Sequence, residues 1–252
     1  ERLNNIFSGK ATRNAAGVNT GIQFVLAQYN PAGELMDEPG INRVTVEEVT
    51  EGTPPDKYHR FLSQNNAIWP HEKYLNIWLM SETKYPKFWN SITKLCVPKY
   101  RLGSETLPGL SLPPVPSTWV PKVEQIGILF RMSTFQYFQR SIDATAEREL
   151  VTCIGNYLGL LDTWKINNSN VNDQCNDTFA YGIVNNNGSL GTNSSWSKEV
   201  GSYRFLSENI MDDPTGTHRS VSKDQALRMY WVLKNCAGRS MWQSDFALTG
   251  KE

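Results

Sequence analysis

The sequence predicts an α+β fold, and two kinds of apolar pattern carry that prediction. Short apolar stretches typical of strands run over residues 21–29, 74–80 and 127–132. Two longer stretches, 143–160 and 222–235, carry apolar side chains at helical spacing. Sequential strands, a middle helix, a loop-rich region and a terminal helix together indicate one α+β domain that the middle helix divides in two.

Composition excludes several classes of function. The chain has 252 residues, with 25 Lys and Arg against 25 Asp and Glu, so its formal net charge is zero. Zero net charge removes the basic field that non-specific nucleic-acid binding needs, so no nucleic-acid partner is expected. No apolar run approaches the roughly 20 residues of a membrane-spanning helix. The length suits one large domain or two small ones, with a core that needs no metal or disulfide.

The strands and loops have separate local signals. Residues 21–29 alternate well enough for a half-buried strand, and 74–80 is apolar at nearly every position, which is typical of a central strand. Five prolines fall in 103–122. Because proline lacks the amide donor, this stretch is predicted to be a surface loop. Residues 166–199 are rich in Asn, Ser and Gly and are predicted to be extended loop.

The helices show recognisable ends. Ser222, followed three residues later by Gln225, forms a capping box that starts the last helix. The middle helix contains Gly155 and Gly159, each of which costs about 1 kcal/mol relative to alanine. Gly159 is explained if it ends the helix in a left-handed cap. Gly155 is explained if another stretch of backbone passes close to the helix.

The cysteines and histidines do not form a metal pattern. The four cysteines are Cys96, Cys153, Cys175 and Cys236. They allow three pairings, and their wide spacing fits no Cys-x-x-Cys metal motif. Buried thiols and one or two disulfides both stay open. The three histidines are scattered along the chain, which argues against a tris-histidine metal site.

The segment 152–163 decides the functional interpretation. It has the sequence Thr-Cys-Ile-Gly-Asn-Tyr-Leu-Gly-Leu-Leu-Asp-Thr. It resembles the zinc-binding segment of the metzincin metallopeptidases, His-Glu-x-x-His-x-x-Gly-x-x-His, with the framework residues kept. Residues 175–178 resemble the Cys-x-Asp-Thr-Pro turn of the pappalysin-like (cytophagalysin) metzincins, 207–212 resemble their Met-turn, and 222–233 their closing helix. The chain looks most similar to the branch of bacterial zinc-dependent metalloproteinase lipoproteins.

This resemblance implies a metzincin-like zincin fold, with a twisted, mostly parallel sheet, long helices above a cleft, and an irregular lower subdomain ending in a helix. The implied subdomains are 1–163, with the sheet and the zinc helix, and 164–252, with the Met-turn and the terminal helix. Relatives are exported, many as lipoproteins attached at an amino-terminal cysteine. A periplasmic or cell-surface location is therefore expected, and any lipid anchor would lie upstream of this chain.

The positions that carry chemistry in that family hold other residues here. Thr152, Asn156 and Asp162 stand at the ligand positions, and Cys153 stands at the general-base position. Threonine and asparagine are weak neutral ligands, and one carboxylate falls short of the three protein ligands of a catalytic zinc site. We therefore expect no bound zinc and no catalytic residue. The residues assigned to a remnant cleft are Gly155, Gly159, Met211 and Asp213, the last of which replaces a tyrosine.

Two local alternatives stay open. Cys153 would act as a nucleophile if its pKa were lowered and a base lay beside it, and His218 is the candidate base. In the plainer interpretation Cys153 is a small packing residue and His218 a surface-loop histidine. The Asn-rich stretch 167–173 resembles oxygen-donor calcium loops, although it holds a single carboxylate, so calcium remains an alternative cofactor.

Three functions follow from the resemblance. The first is a catalytically inactive peptidase homologue that binds a peptide or other extracellular ligand in its cleft by β-strand addition. The second is a metallopeptidase or other hydrolase with residual or relocated activity. The third is a structural cell-surface protein whose cleft is filled by side chains. An open groove above Met211 would favour binding over a structural function.

Overall fold

The computed structural model describes the first 44 residues of the chain and separate segments after them. The described residues are 1–44, 62, 66–80, 127–131, 145–166, 173–183, 197–200, 202–213, 216–235 and 241. The elements found there are α1 (Arg2–Phe7), β1 (Ile77–Met80), β2 (Ile128–Arg131), α2 (Thr145–Tyr157), β3 (Trp164–Ile166), β4 (Tyr181–Ile183), β5 (Ser197–Val200), β6 (Tyr203–Leu206) and α3 (Lys223–Asn235). None of the described helices combines the length and hydropathy needed to cross a bilayer.

The strands pair two by two within the described residues. β1 and β2 are parallel, with Ile77 opposite Ile128, and they confirm the strands predicted at 74–80 and 127–132. β3 and β4 are also parallel. β5 and β6 are antiparallel and adjacent in sequence. Two parallel pairs agree with the mostly parallel sheet that the resemblance implies.

The strand predicted at 21–29 is wrong. This stretch forms no strand, only an isolated bridge between Tyr29 and Leu35. The reason lies in the side chain of Asn4, whose amide oxygen accepts from the Phe24 N–H at 2.8 Å. The Asn4 amide group also donates to the Phe24 carbonyl at 2.9 Å. One side chain therefore takes both hydrogen-bonding groups that a ladder would have used.

The loop predicted over 166–199 is wrong in part. β4 lies inside this stretch, and β5 begins within it, although Asn, Ser and Gly are abundant there. Tertiary pairing with β3 and β6 overrides that local composition. The proline-rich stretch 103–122 and the Asn-rich residues 167–172 lie outside the described residues, so the predictions made for them stay predictions.

The capping box of α3 is confirmed. The Ser222 N–H donates to Gln225 Oε1 at 3.1 Å, and the Gln225 N–H donates to Ser222 Oγ at 3.3 Å. Asp177 adds a carboxylate at the same helix end, accepting from the Ser222 hydroxyl at 2.6 Å and the Asp224 N–H at 2.9 Å. A negative charge near a helix N-terminus is favourable because it offsets the helix dipole.

One hydrophobic cluster joins elements that are distant in sequence. Its fully buried members include Ile6 and Phe7 of α1, Ile128 of β2, Val151 and Ile154 of α2, Met211, and Met229 of α3. The cluster therefore draws on both sides of the boundary predicted at 163/164. The division into two subdomains stays a prediction. The shared core contains residues from both sides of the predicted boundary.

The segment that follows α1 is bound to the C-terminal part of the chain. The Val18 N–H donates to the Val221 carbonyl at 2.9 Å. Thr12 Oγ1 and the Arg13 N–H both donate to Glu208 Oε2, at 3.0 and 2.8 Å. These bonds hold the N-terminal segment beside the loop that carries Met211.

We predict that Gln225→Ala lowers the free energy of unfolding by about 2–3 kcal/mol. The substitution removes the bond from the Ser222 N–H to the glutamine side chain, which is one half of the capping box, and also breaks two amide–amide bonds with Asn209, of 2.8 and 2.9 Å. Urea denaturation measures the loss. Gln23→Ala is the matched control, because Gln23 is exposed and such a change costs within about 0.5 kcal/mol. Equal losses in the two variants would contradict this account of the cap.

Candidate functional site

The C-terminal end of α2 confirms the cap predicted at Gly159. Gly159 has a φ of 91°, its N–H donates to the Asn156 carbonyl at 2.9 Å, and the Leu160 N–H donates to the Gly155 carbonyl at 2.9 Å. This pair of bonds is a Schellman motif, which needs a left-handed residue at the turn. The Gly159 carbonyl in turn accepts from the guanidinium of the buried Arg228. The chain is thereby directed back alongside α2.

The side chain of Met211 explains why position 155 is a glycine. A passing stretch of backbone was expected there instead. A Cβ built on Gly155 would lie 2.5 Å from the Sδ atom of Met211. Met211 is completely buried, so this contact holds its loop directly against α2. The Thr163 N–H and hydroxyl both donate to the Met211 carbonyl, at 3.0 and 3.1 Å. Helix, turn and loop are therefore packed together around one side chain.

We call residues 207–213 and 216–220 the Met211 loop. Thr152, at the first expected ligand position, is half-buried, and its hydroxyl points to this loop. Thr152 Oγ1 lies 2.7 Å from the Ile210 carbonyl oxygen and 2.8 Å from Nδ1 of His218. The hydroxyl is therefore engaged by two partners inside the protein.

His218 is buried, so its interpretation as a surface-loop residue is wrong. Its exposed fraction is 4%, and Nε2 lies 2.8 Å from the Asp213 carbonyl oxygen. Because a carbonyl only accepts, Nε2 carries the proton, and in the neutral ring Nδ1 is an acceptor that competes with the Ile210 carbonyl for the single proton of the Thr152 hydroxyl. Burial lowers the pKa of His218, against the opposing effects of the Asp213 hydrogen bond and the neighbouring carboxylates.

The backbone at His218 is strained. Its φ is 51°, in the left-handed region, which costs a non-glycine residue of the order of 1 kcal/mol or more. A Cβ built on Gly216 would lie 2.8 Å from the His218 ring, so the loop folds closely around that ring. Such strain persists only where the surrounding contacts over-determine the conformation.

The other two expected ligand positions contact each other. The Asn156 amide donates to the Leu160 carbonyl at 3.1 Å and to Asp162 Oδ1 at 3.4 Å. Asp162 itself is exposed. Loss of hydration from the surrounding protein raises the pKa of the Asp162 carboxyl, and the Asn156 hydrogen bond and the charge of Lys165 oppose that change. The structure thus brings Asn156 and Asp162 together and pairs Thr152 with His218.

The general-base position lies in the core. Cys153 is buried and belongs to the hydrophobic cluster. Cys175 is also buried, and neither residue is in a disulfide. Burial raises the pKa of the Cys175 thiol, and the nearby Asp173 carboxylate adds to that effect. Cys96 and Cys236 lie outside the described residues, so any pairing between them stays open.

Sequence reasoning did not identify Tyr181 or Arg148 as part of this region, and it named Asp212 only within the resemblance to the Met-turn. The Tyr181 hydroxyl contacts carboxylate oxygens of Asp212 and Asp213, the latter at 2.6 Å. Burial and these two carboxylates raise the pKa of Tyr181. Arg148 donates to the Gly216 carbonyl at 3.1 Å. Arg148 lies one helical turn before Thr152, and this spacing could have indicated that it belongs to the site. No local sequence pattern indicates Tyr181.

The four residues assigned to the remnant cleft all lie in the interior. Gly155, Gly159, Met211 and Asp213 are buried, so they lie beneath any surface that a ligand could reach. Their assignment to a cleft stays a prediction. Asp173, at the end of the stretch considered for calcium, is also buried, and its carboxylate accepts from the hydroxyl of Thr178.

The donors at the three expected ligand positions do not fit a zinc ion. They are a hydroxyl, an amide and one carboxylate, whereas zinc prefers imidazole, thiolate and carboxylate. The hydroxyl of Thr152 and the amide of Asn156 are also hydrogen-bonded to main-chain carbonyls. Across the described segments, no three His, Cys, Asp or Glu side chains come together in a way that could hold a metal.

Comparison with solved structures identifies the fold. Mirolysin from Tannerella forsythia, in complex with a cleaved peptide, matches 95% of this chain and 84% of its own, with 20% identity and a TM-score of 0.59. A mirolysin–compound complex matches the same shares at 19% identity, with a TM-score of 0.56. A variant of Tannerella forsythia promirolysin matches 96% of this chain and 74% of its own, at 18% identity and a TM-score of 0.58.

Mirolysin is a metallopeptidase of the metzincin, pappalysin-like type. This chain has a zincin-like fold, which confirms the predicted fold class. No protein-family model matches the sequence. A search of curated proteins also finds no match. The likeness therefore concerns the fold, and the activity has to be argued from the residues of the site.

We predict that His218 makes the protein less stable in mild acid. Above about pH 6.5 the ring is neutral in both the folded and the unfolded chain. Below that pH the unfolded chain binds a proton that the folded chain does not, because burial lowers the pKa of His218. The free energy of unfolding therefore falls as the pH drops toward the folded pKa. Urea unfolding at about pH 7.5 and 5.5 measures this, and His218→Gln is expected to lose less stability over the same interval. Equal losses would contradict the prediction.

Proposed function

We propose that this chain is a catalytically inactive metzincin-like peptidase homologue that binds a peptide or another extracellular ligand in its remnant cleft. The zincin-like fold supports the ancestry. The residues at the ligand positions support the loss of zinc, because two of the three are neutral oxygen donors. Any peptidase reaction that requires zinc would then be lost.

One observation carries this proposal. The hydroxyl of Thr152 lies within hydrogen-bond distance of the Ile210 carbonyl and of His218. The proton of this hydroxyl is directed to protein acceptors, and as a neutral oxygen donor the hydroxyl is a weak ligand for zinc. The general-base position points to the same conclusion, because Cys153 packs in the hydrophobic cluster.

Binding without cleavage is compatible with the loss of these side chains. β-strand addition uses main-chain donors and acceptors, which side-chain substitutions at the zinc positions leave in place. The mirolysin structure that contains a cleaved peptide supports a peptide as the ligand class, since a protein of this fold binds one. By the same resemblance we propose that the chain is exported to the periplasm or cell surface.

A relocated hydrolase is the second candidate, and one distance favours it. The 2.8 Å between Thr152 Oγ1 and His218 Nδ1 is within the reach of a nucleophile–base pair, and the Asp213 carbonyl orients the ring. Two features weigh against it. His218 is 4% exposed, and the Thr152 hydroxyl also lies 2.7 Å from the Ile210 carbonyl.

Metal analysis tests the loss of zinc. We expect the purified protein, supplied with zinc and then desalted, to retain less than one zinc per chain and to leave a casein substrate uncut. A variant with Thr152→His, Asn156→His and Asp162→His is expected to retain zinc, because it restores three imidazoles. Stoichiometric zinc together with casein cleavage by the unmodified chain would contradict the proposal. Cleavage without zinc, abolished by Thr152→Val, would favour the second candidate.

A displayed library of random peptides tests the binding function. We expect the protein to select peptides, and we expect Asp162→Trp to weaken their binding at least tenfold. Asp162 is the exposed one of the three expected ligand positions, so a large ring there would obstruct a cleft that runs past them. Lys234→Trp is the matched control, because Lys234 is an exposed residue on α3. Selection of no peptide, or equal weakening by both substitutions, would contradict a peptide-binding cleft.

A further inference from the structure

We infer that His218 is the polar cross-link that holds α2 to the Met211 loop, and that this cross-link makes the site independent of metal. The inference rests on the proposed function, which states that zinc is absent. In the resembled family a metal joins the positions of Thr152, Asn156 and Asp162 to one another. Here the face of α2 that carries Thr152 is instead joined to the Met211 loop.

Two side chains on that face of α2 reach the loop. Arg148 and Thr152 are four residues apart and so project from the same side of the helix. Arg148 donates to the Gly216 carbonyl at 3.1 Å, and Thr152 contacts the Ile210 carbonyl at 2.7 Å. These contacts lie six residues apart in the loop, so the helix is bound to the loop at two separate points.

His218 adds a third contact between the helix and the loop. Nδ1 of its ring lies 2.8 Å from Thr152 Oγ1 on the helix, and Nε2 lies 2.8 Å from the Asp213 carbonyl on the loop. The two ring nitrogens therefore bridge two chain segments, as an ion with two ligands would. The neighbouring Arg148 and the carboxylates of Asp212 and Asp213 also act electrostatically on the ring.

The loop conformation supports this function for His218. A positive φ of 51° at a non-glycine residue needs compensation from the contacts that it makes possible. Gly216 approaches the His218 ring closely, because a Cβ built there would lie 2.8 Å from it. The loop conformation therefore packs the loop backbone against this ring. A histidine exposed in a loop would gain nothing from either feature. His218 is thus a positioning residue for the loop.

Thermal unfolding of single and double variants tests the cross-link. Thr152→Val and His218→Gln are each expected to lower Tm by roughly 2–4 °C. The double variant should lose less than the sum of the two single effects, because both changes remove the shared contact between Thr152 and His218. Thr152→Ser keeps the hydroxyl and should stay near the wild-type Tm. EDTA should leave the wild-type Tm unchanged.

Thr20→Val is the matched control. Thr20 is a buried threonine whose hydroxyl donates to the Phe7 carbonyl at 2.8 Å, and it has no part in the cross-link. Its effect on Tm should add to that of His218→Gln. If Thr152→Val and His218→Gln are also additive, the inference is overturned and the proposed function stands. A fall in wild-type Tm on adding EDTA would instead overturn the proposed function.

Ring-nitrogen NMR of the wild-type chain keeps the inference testable if His218→Gln does not fold. The expected signature of His218 is a protonated Nε2 and an Nδ1 that accepts a hydrogen bond. Thr152→Val should shift the Nδ1 resonance and leave the resonances of His71, a second buried histidine, in place. An Nδ1 resonance that does not respond to Thr152→Val would overturn the inference.

Discussion

The close contact between α2 and Met211 is the constraint on which the site depends. Gly155 has no side chain, so Met211 Sδ occupies the space where a Cβ would lie, 2.5 Å away. That approach brings the Ile210 carbonyl within reach of Thr152. The Schellman turn at Gly159 then returns the chain to Thr163, which binds the Met211 carbonyl. Each polar contact of the site follows from one apolar contact at a glycine.

The polar residues of this region satisfy one another. Buried hydroxyl, amide and imidazole groups cost free energy unless they are hydrogen-bonded, and Thr152, Asn156 and His218 all have protein partners. A metal site has a different design, because its ligands direct lone pairs at an ion, whereas Thr152 and Asn156 direct their donor groups at main-chain carbonyls. The polar atoms at the expected ligand positions therefore bond within the protein, around a backbone that packs closely against Met211.

The sequence predicted those features whose signals are local. The cap at Gly159 and the box formed by Ser222 and Gln225 depend on spacings of a few residues, and both are found. The strand at 21–29 failed because Asn4, about 20 residues away, takes the main-chain groups of Phe24. His218 was misplaced for the same reason, since its partner Thr152 lies 66 residues earlier. Contacts at that separation leave no periodicity to detect.

The shared core also has a consequence for the order of events during synthesis. Ile6 and Phe7 pack in the same cluster as Met229 and Leu233, more than 200 residues later. The N-terminal segment that follows is held by Val221 and Glu208. Contacts over such a separation form slowly, because a long loop must close before they contribute. The first helix therefore gains these native neighbours only after the residues of α3 have left the ribosome, and it remains accessible to chaperones until then.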